Sequence, residues 1–179
     1  AKRNIQSCDS TAVVAPPVQS FLLTSRQRAD AIVEQHRRCR TSTLQLVDHV
    51  APGELRRLRD ALPEVRLVQV IHVDGEASIE AAVAVAGLVD ALLLDSGNPT
   101  LAVKELGGTG RTHDWRVSRR IRDAVDVPLY LAGGLNAANV REAVDAVQPF
   151  GLDLCSSVRR GGRLDAARLR AFFEALAAA

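Results

Sequence analysis

One carboxyl group and three glycine- or serine-rich turns are the chemically suggestive residues of this sequence. Asp95 closes the apolar run Ala91-Leu92-Leu93-Leu94. A carboxyl partly stripped of water at the mouth of an apolar strand is a candidate general acid. The same position also suits an aspartate that merely caps a loop. Downstream lie Gly107-Gly108-Thr109-Gly110, Gly133-Gly134 and Cys155-Ser156-Ser157. Glycine lets the backbone approach an anion closely and adopt positive φ, and successive N–H groups in such a turn form an anion-binding nest. Any one of these turns is equally well a plain tight turn. All three follow strands, so together they predict an anion site on one face of the fold. No G-x-G-x-x-G joins a first strand to its helix, and a P-loop lysine is missing.

Other reactive residues weigh less. Arg111 suits a loop clamp or a solvated side chain, and His113 and Trp115 suit closure of that loop and the start of a helix. His72 ends a strand and points to the active-site end or into the core, while His36 and His49 read as surface residues. Cys8 has no strand before it, Cys39 falls in an Arg-rich helical stretch, and Cys155 ends the last strand. No His/Cys/Asp/Glu cluster has metal-ligand spacing, so no metal site is expected.

The elements that must position these residues follow a regular beat. Strand-like runs occur at Phe21–Thr24, Thr43–Val47, Leu67–Ile71, Ala91–Leu94, Pro128–Leu131 and 151–154. Between them run single apolar faces at the helical period: Leu55, Leu58, Leu62; Val140, Ala143, Val144, Val147; and Leu169, Phe172, Phe173, Leu176. Pro52 fits the first position of a helix, and Asn136 and Asp165 fit N-caps. Strands recur about every 22–25 residues, except across the gap holding the first glycine turn. Alternating β and α predicts a parallel sheet covered by helices, either doubly wound or of the (β/α)₈ barrel type.

Composition bounds the rest. The chain has 179 residues, enough for one domain, 1–179. With 47% apolar and 25% charged residues it is neither disordered nor fibrous. A net charge of +2 with scattered arginines excludes a nucleic-acid footprint. Three cysteines without close pairing fit a reducing compartment. No run reaches the roughly 18 apolar residues of a membrane span. The N-terminal residues lack the apolar core of a signal peptide, so a cytoplasmic location is expected.

Taken in order, Leu92-Leu93-Leu94-Asp95-Ser96, Gly107-Gly108-Thr109-Gly110-Arg111-Thr112-His113-Asp114-Trp115, Leu131-Ala132-Gly133-Gly134-Leu135-Asn136 and Pro149-Phe150-Gly151-Leu152-Asp153 closely resemble phosphoribosylanthranilate isomerase. The resemblance implies a (β/α)₈ TIM barrel acting in tryptophan biosynthesis. It implies an Amadori rearrangement of a small sugar phosphate without metal or organic cofactor, and without nucleic acid or membrane as partner. It makes Asp95 the catalytic acid. It places the substrate phosphate at Gly107, Gly108, Gly110, Gly133, Gly134, Ser156 and Ser157. The family's base, a cysteine in an Ile-Cys-Gly motif at the first strand, has no match here. Aligned on the family, the chain starts near the second helix, with the first two strands and first helix missing and six βα units visible. Such an open barrel leaves three alternatives: residues missing from this chain, a homodimer paired through its edges, or a non-catalytic phosphate-binding remnant. Two departures stand near the phosphate: Ser157 replaces a glycine and Arg159 a glutamate. Arg159 is expected to face solvent.

Overall fold

The computed structural model describes residues 18–97 and 112–178. Six strands form one parallel sheet in sequential order: β1 (Phe21–Thr24), β2 (Thr43–Leu46), β3 (Arg66–His72), β4 (Ala91–Asp95), β5 (Leu129–Leu131) and β6 (Gly151–Leu152). Helices α1 (Ala29–Cys39), α2 (Pro52–Ala61), α3 (Ala77–Ala86), α4 (Trp115–Ala124) and α5 (Val140–Val147) alternate with them. A 3-10 turn (Ser156–Val158), a small exposed hairpin of β7 (Arg159–Arg160) and β8 (Arg163–Leu164), and α6 (Ala166–Ala177) complete the order. Six βα units of a curled, barrel-type sheet are therefore present, as the strand beat predicts, and β1 and β6 are the edges of the described sheet.

The two faces of the sheet differ because side chains alternate along each strand. One face meets the helices. Leu44, Leu46, Leu67, Ile71, Leu92, Leu94 and Leu131 pack there against Ile32, Leu55, Leu58, Ile121, Val140 and Phe172. The concave face carries a smaller cluster of Val68, Val70, Ala91, Leu93 and Ala132, flanked by Val47 and Tyr130. Gly151 on β6 is required by that face: a Cβ there would stand 2.8 Å from the Tyr130 ring, its register partner's side chain.

Register decides which rim residues share the concave face. His72 is paired with Asp95. The ladder continues through Ala132 N–H to Leu94 C=O at 2.8 Å and Asp153 N–H to Leu131 C=O at 2.9 Å. His72, Asp95, Ala132 and Asp153 thus form one transverse row at the C-terminal ends of four neighbouring strands.

Several local expectations shift. Asn136 does not cap α5. Its side chain closes a turn by accepting from Ala138 N–H, and α5 starts at Val140. Asp165 does cap α6, accepting from the N–H groups of Ala167 and Arg168, and Pro52 opens α2. His36 is buried, with Nε2 2.8 Å from Thr41 O, so it braces the end of α1 instead of lying on the surface. Phe173 is 56% exposed while Phe172 is buried. Adjacent helical residues point about 100° apart, so one core contact cannot take both. β6 spans only Gly151–Leu152, shorter than its apolar run suggests, although Asp153 N–H still bonds Leu131 C=O.

Candidate active site

The rim row gives the site its floor, and the loops after β5 and β6 give it walls. Asp95 is 9% exposed, and its Oδ1 accepts from Ser96 N–H at 2.7 Å. A cavity of about 360 Å³ opens above it, lined by Gly133, Gly134, Asp153, Ser156 and Ser157 among others. Asp153 stands one small residue away from Asp95 along the row. Its outer side is open to solvent, yet the surrounding loops strip enough water to push its carboxyl above the usual carboxylate range, and the Asp95 charge adds to that.

The loop after β5 is built for a close approach. Gly133 and Gly134 take φ of +83° and +65°, in the left-handed region that suits glycine. A Cβ on Gly133 would meet Ser96 at 3.0 Å, so the bare backbone lets this loop sit directly over the end of β4. Two asparagines pin the turn. Asn136 Nδ2 and Asn139 Nδ2 both donate to Gly134 C=O, at 3.0 and 3.1 Å, and Asn139 Oδ1 accepts from Asn136 N–H. The carbonyl is thereby occupied. Across the cavity, Ser157 Oγ is buried without a hydrogen-bond partner, so the hydroxyl that replaces the expected glycine is a donor in search of an acceptor. Among the described residues the lining contains two carboxylates and no lysine or arginine. What these residues offer an anion is backbone amides and hydroxyls. Arg159 points away and donates to Gly162 C=O, as expected of a solvated side chain.

The structure brings together Asp95, Gly133, Gly134, Ser156 and Ser157. Gly107, Gly108, Gly110, Arg111 and Cys8 lie outside the described residues. His113 does more than close a loop. It is largely buried close enough to Asp95 to feel its charge, and both ring nitrogens lack partners. Desolvation holds it below the ordinary histidine range, against the pull of Asp95 and Asp114. Trp115 is the first residue of α4, capped by Asp114 accepting from Arg116 N–H. Cys39 lies on α1, while Cys155 is exposed in the cavity lining. Asp153 is the functional candidate that the residues alone did not single out. Its signal is the repeated ending Leu94-Asp95 and Leu152-Asp153 on two strands of one parallel sheet.

Comparison with known proteins decides the family. Residues 12–175 match the family described as PRAI, N-(5'phosphoribosyl)anthranilate (PRA) isomerase. The chain belongs to this family. Its similarity to N-(5'-phosphoribosyl)anthranilate isomerase of Methanocella arvoryzae is 38% identity over 165 residues, covering 92% of this chain and 75% of that protein. With the enzyme of the same name from Halobacterium salinarum it shares 36% over 173 residues, 94% of this chain and 76% of the relative. A crystal structure of phosphoribosyl anthranilate isomerase from Thermotoga maritima superposes with a TM-score of 0.74 at 26% identity, over 92% of this chain and 76% of that one. The chain therefore spans about three quarters of the length of these PRA isomerases. The family's enzymes are isomerases of tryptophan biosynthesis, and the barrel-type sheet is theirs.

Proposed function

We propose that this chain binds N-(5-phosphoribosyl)anthranilate in the rim cavity and carries the acid half of its Amadori rearrangement on Asp95. The observation that supports it is the joint placement of a buried Asp95 and the Gly133–Gly134 nest in one cavity. The substrate's phosphate lies against Gly133, Gly134, Ser156 and Ser157, with Gly107, Gly108 and Gly110 added by the resemblance. Its ribose ring oxygen reaches Asp95. Asp95 protonates that oxygen as the ring opens, and a base then takes the proton from the neighbouring carbon. Metal and organic cofactor have no part in this reading, and the reaction belongs in the cytoplasm.

The family's cysteine base is not matched by either described cysteine, since Cys39 is on a helix and Cys155 follows the last strand of the sheet. That favours a second reading, a phosphate-binding chain without turnover. Anthranilate fluorescence separates the two. Conversion of the fluorescent substrate by the purified chain, above the rate in buffer, supports the isomerase. Saturable binding without conversion supports the second reading, and no binding removes both. The apolar edge residues Phe21 and Leu23, 39% and 53% exposed on β1, suit pairing between copies, which sedimentation at varied concentration reads directly.

A further inference from the structure

The rim cavity asks a strongly anionic molecule to enter an acidic pocket. N-(5-phosphoribosyl)anthranilate carries a phosphate and a benzoate carboxylate, together roughly −3 at neutral pH. The cavity already holds Asp95 and Asp153, and among the described residues no lysine or arginine lines it. Amides and hydroxyls hold a phosphate at contact distance. Drawing it in from solution takes positive charge near the mouth.

Such charge stands where the cavity wall ends. Ser156 and Ser157 line the cavity, and β7 begins two residues after Ser157. Consecutive Cα atoms are about 3.8 Å apart, so the Cα of Arg159 lies within about 8 Å of that of Ser157, and the Cα of Arg160 within about 12 Å. Residues 159–170 contain five arginines and one acid, Asp165. The whole chain has a net charge of +2, so the surplus of this short segment exceeds that of the entire molecule.

The fold fixes these arginines in place. Gly161 and Gly162 take φ of +57° and +79°, the pattern of a tight two-residue hairpin turn. Arg159 donates to Gly162 C=O at 3.3 Å, and Arg168 donates to Arg159 C=O at 2.8 Å. A carbonyl satisfies a guanidinium N–H without cancelling its charge. Among the described residues, Arg160 alone of this group has a carboxylate partner, Asp165 at 3.2 Å, and its side chain is still 76% exposed. Arg160 and Arg163 are register partners across the hairpin. Like charges placed directly opposite destabilise a strand pair, so this arrangement costs stability in the hairpin itself.

We propose that the β7–β8 hairpin, with Arg159, Arg160, Arg163 and Arg168, is an electrostatic guide that draws the phosphate- and carboxylate-bearing substrate to the rim cavity. The proposal rests on the reading that this cavity binds N-(5-phosphoribosyl)anthranilate. None of the four arginines lines the cavity, so they act at a distance. Their reach depends on salt: screening sets in at about 30 Å in 0.01 M salt and at about 3 Å in 1 M.

Stopped-flow mixing with the fluorescent substrate reads the association rate whether or not turnover follows. Arg163 pairs with no carboxylate among the described residues, so Arg163→Glu reverses its charge without stranding a partner. In about 0.01 M salt it is expected to slow association about threefold to tenfold, and Arg163→Gln by a smaller factor. In about 1 M salt all three proteins should associate alike. Arg37→Glu makes the same change in net charge in the last turn of α1, at the end of the sheet away from the rim, and should leave the rate within about twofold. Equal slowing by Arg163→Glu and Arg37→Glu overturns the guide, because net charge alone would then account for it. An unchanged rate in Arg163→Glu at low salt overturns it too, and so does a slow rate that persists in 1 M salt, which marks a packing defect. In each of these cases the substrate still binds and the cavity reading stands. Slowed, salt-sensitive association without conversion supports the guide and removes the isomerase. No binding by the unsubstituted chain removes the guide together with the cavity reading.

Discussion

The two faces of one sheet divide the labour of this molecule. Leu94 and Asp95 are adjacent in sequence and opposite in fate. Leu94 is fully buried against the helices, in a cluster that gathers residues from all six strand–helix units. Asp95 turns to the concave face, where, among the described residues, the buried apolar cluster has only Val68, Val70, Ala91, Leu93 and Ala132. Stability is concentrated on the helix side, where burying a leucine is worth about 1.5–3 kcal/mol. The concave rim is free to carry polar and ionisable groups because the fold does not depend on it. The same separation explains why a pair of carboxylates can be kept one residue apart on the rim: their mutual cost is met by the other face.

Substituting across that boundary gives the largest expected effects. Asp95→Asn keeps the shape and the acceptor for Ser96 N–H but removes the acid. We expect kcat to fall by about 10²–10⁴-fold with the thermal midpoint nearly unchanged. Near-normal turnover would take Asp95 out of the mechanism. Leu94→Ala should do the reverse. Its cavity should cost about 2–5 kcal/mol in a urea melt, while the folded fraction retains its KM. A Leu94→Ala protein with native stability would mean that the helix-side cluster does not carry the fold.

A smaller effect sharpens the concave side. Gly151→Ala places a methyl 2.8 Å from the Tyr130 ring, which itself packs edge-on against Phe150. The ring must move, and overpacking of this kind costs about 1–3 kcal/mol. Tyr130 is only half-buried, so the low end is expected. If Tyr130→Ala removes the penalty of Gly151→Ala in a double-mutant cycle, the contact is its cause; additivity would place the cause elsewhere.

Much of this was legible in the residues. All six strands were, because buried parallel strands read as short apolar runs at a fixed spacing. Asp95 and the Gly133–Gly134 turn were legible for the same reason, each standing where such a run stops. What depended on three-dimensional register was not. His72 lies 23 residues from Asp95 in sequence, and only the ladder makes them neighbours. Asp153 was hidden by the brevity of β6. Asn136 looked like a cap because its type suits one, but the chain spends it on pinning Gly134. Phe172 and Phe173 share a sequence pattern that a single helix face cannot satisfy. Each miss concerns a choice between two locally acceptable placements that tertiary packing decided.

The weakest expected effect probes the cost of the rim itself. Desolvation, with the Asp95 charge second, holds the Asp153 carboxyl above its ordinary range. Around that range the folded protein binds more protons at Asp153 than the unfolded chain does. Stability contributed by the protonated form is therefore present at low pH and lost as pH rises from the ordinary carboxylate value through the raised one. Asp153→Asn leaves an uncharged side chain of the same size beside Asp95, so the decline should disappear. The variant should then be slightly more stable than the unsubstituted protein at neutral pH and equal to it in acid. Because one side of Asp153 is open to solvent, the gain is expected to be modest and to shrink in high salt. Urea melts of both proteins across the acid range check it. Parallel stability curves would mean that the two carboxylates do not oppose each other, and that the rim imposes no measurable cost on the fold.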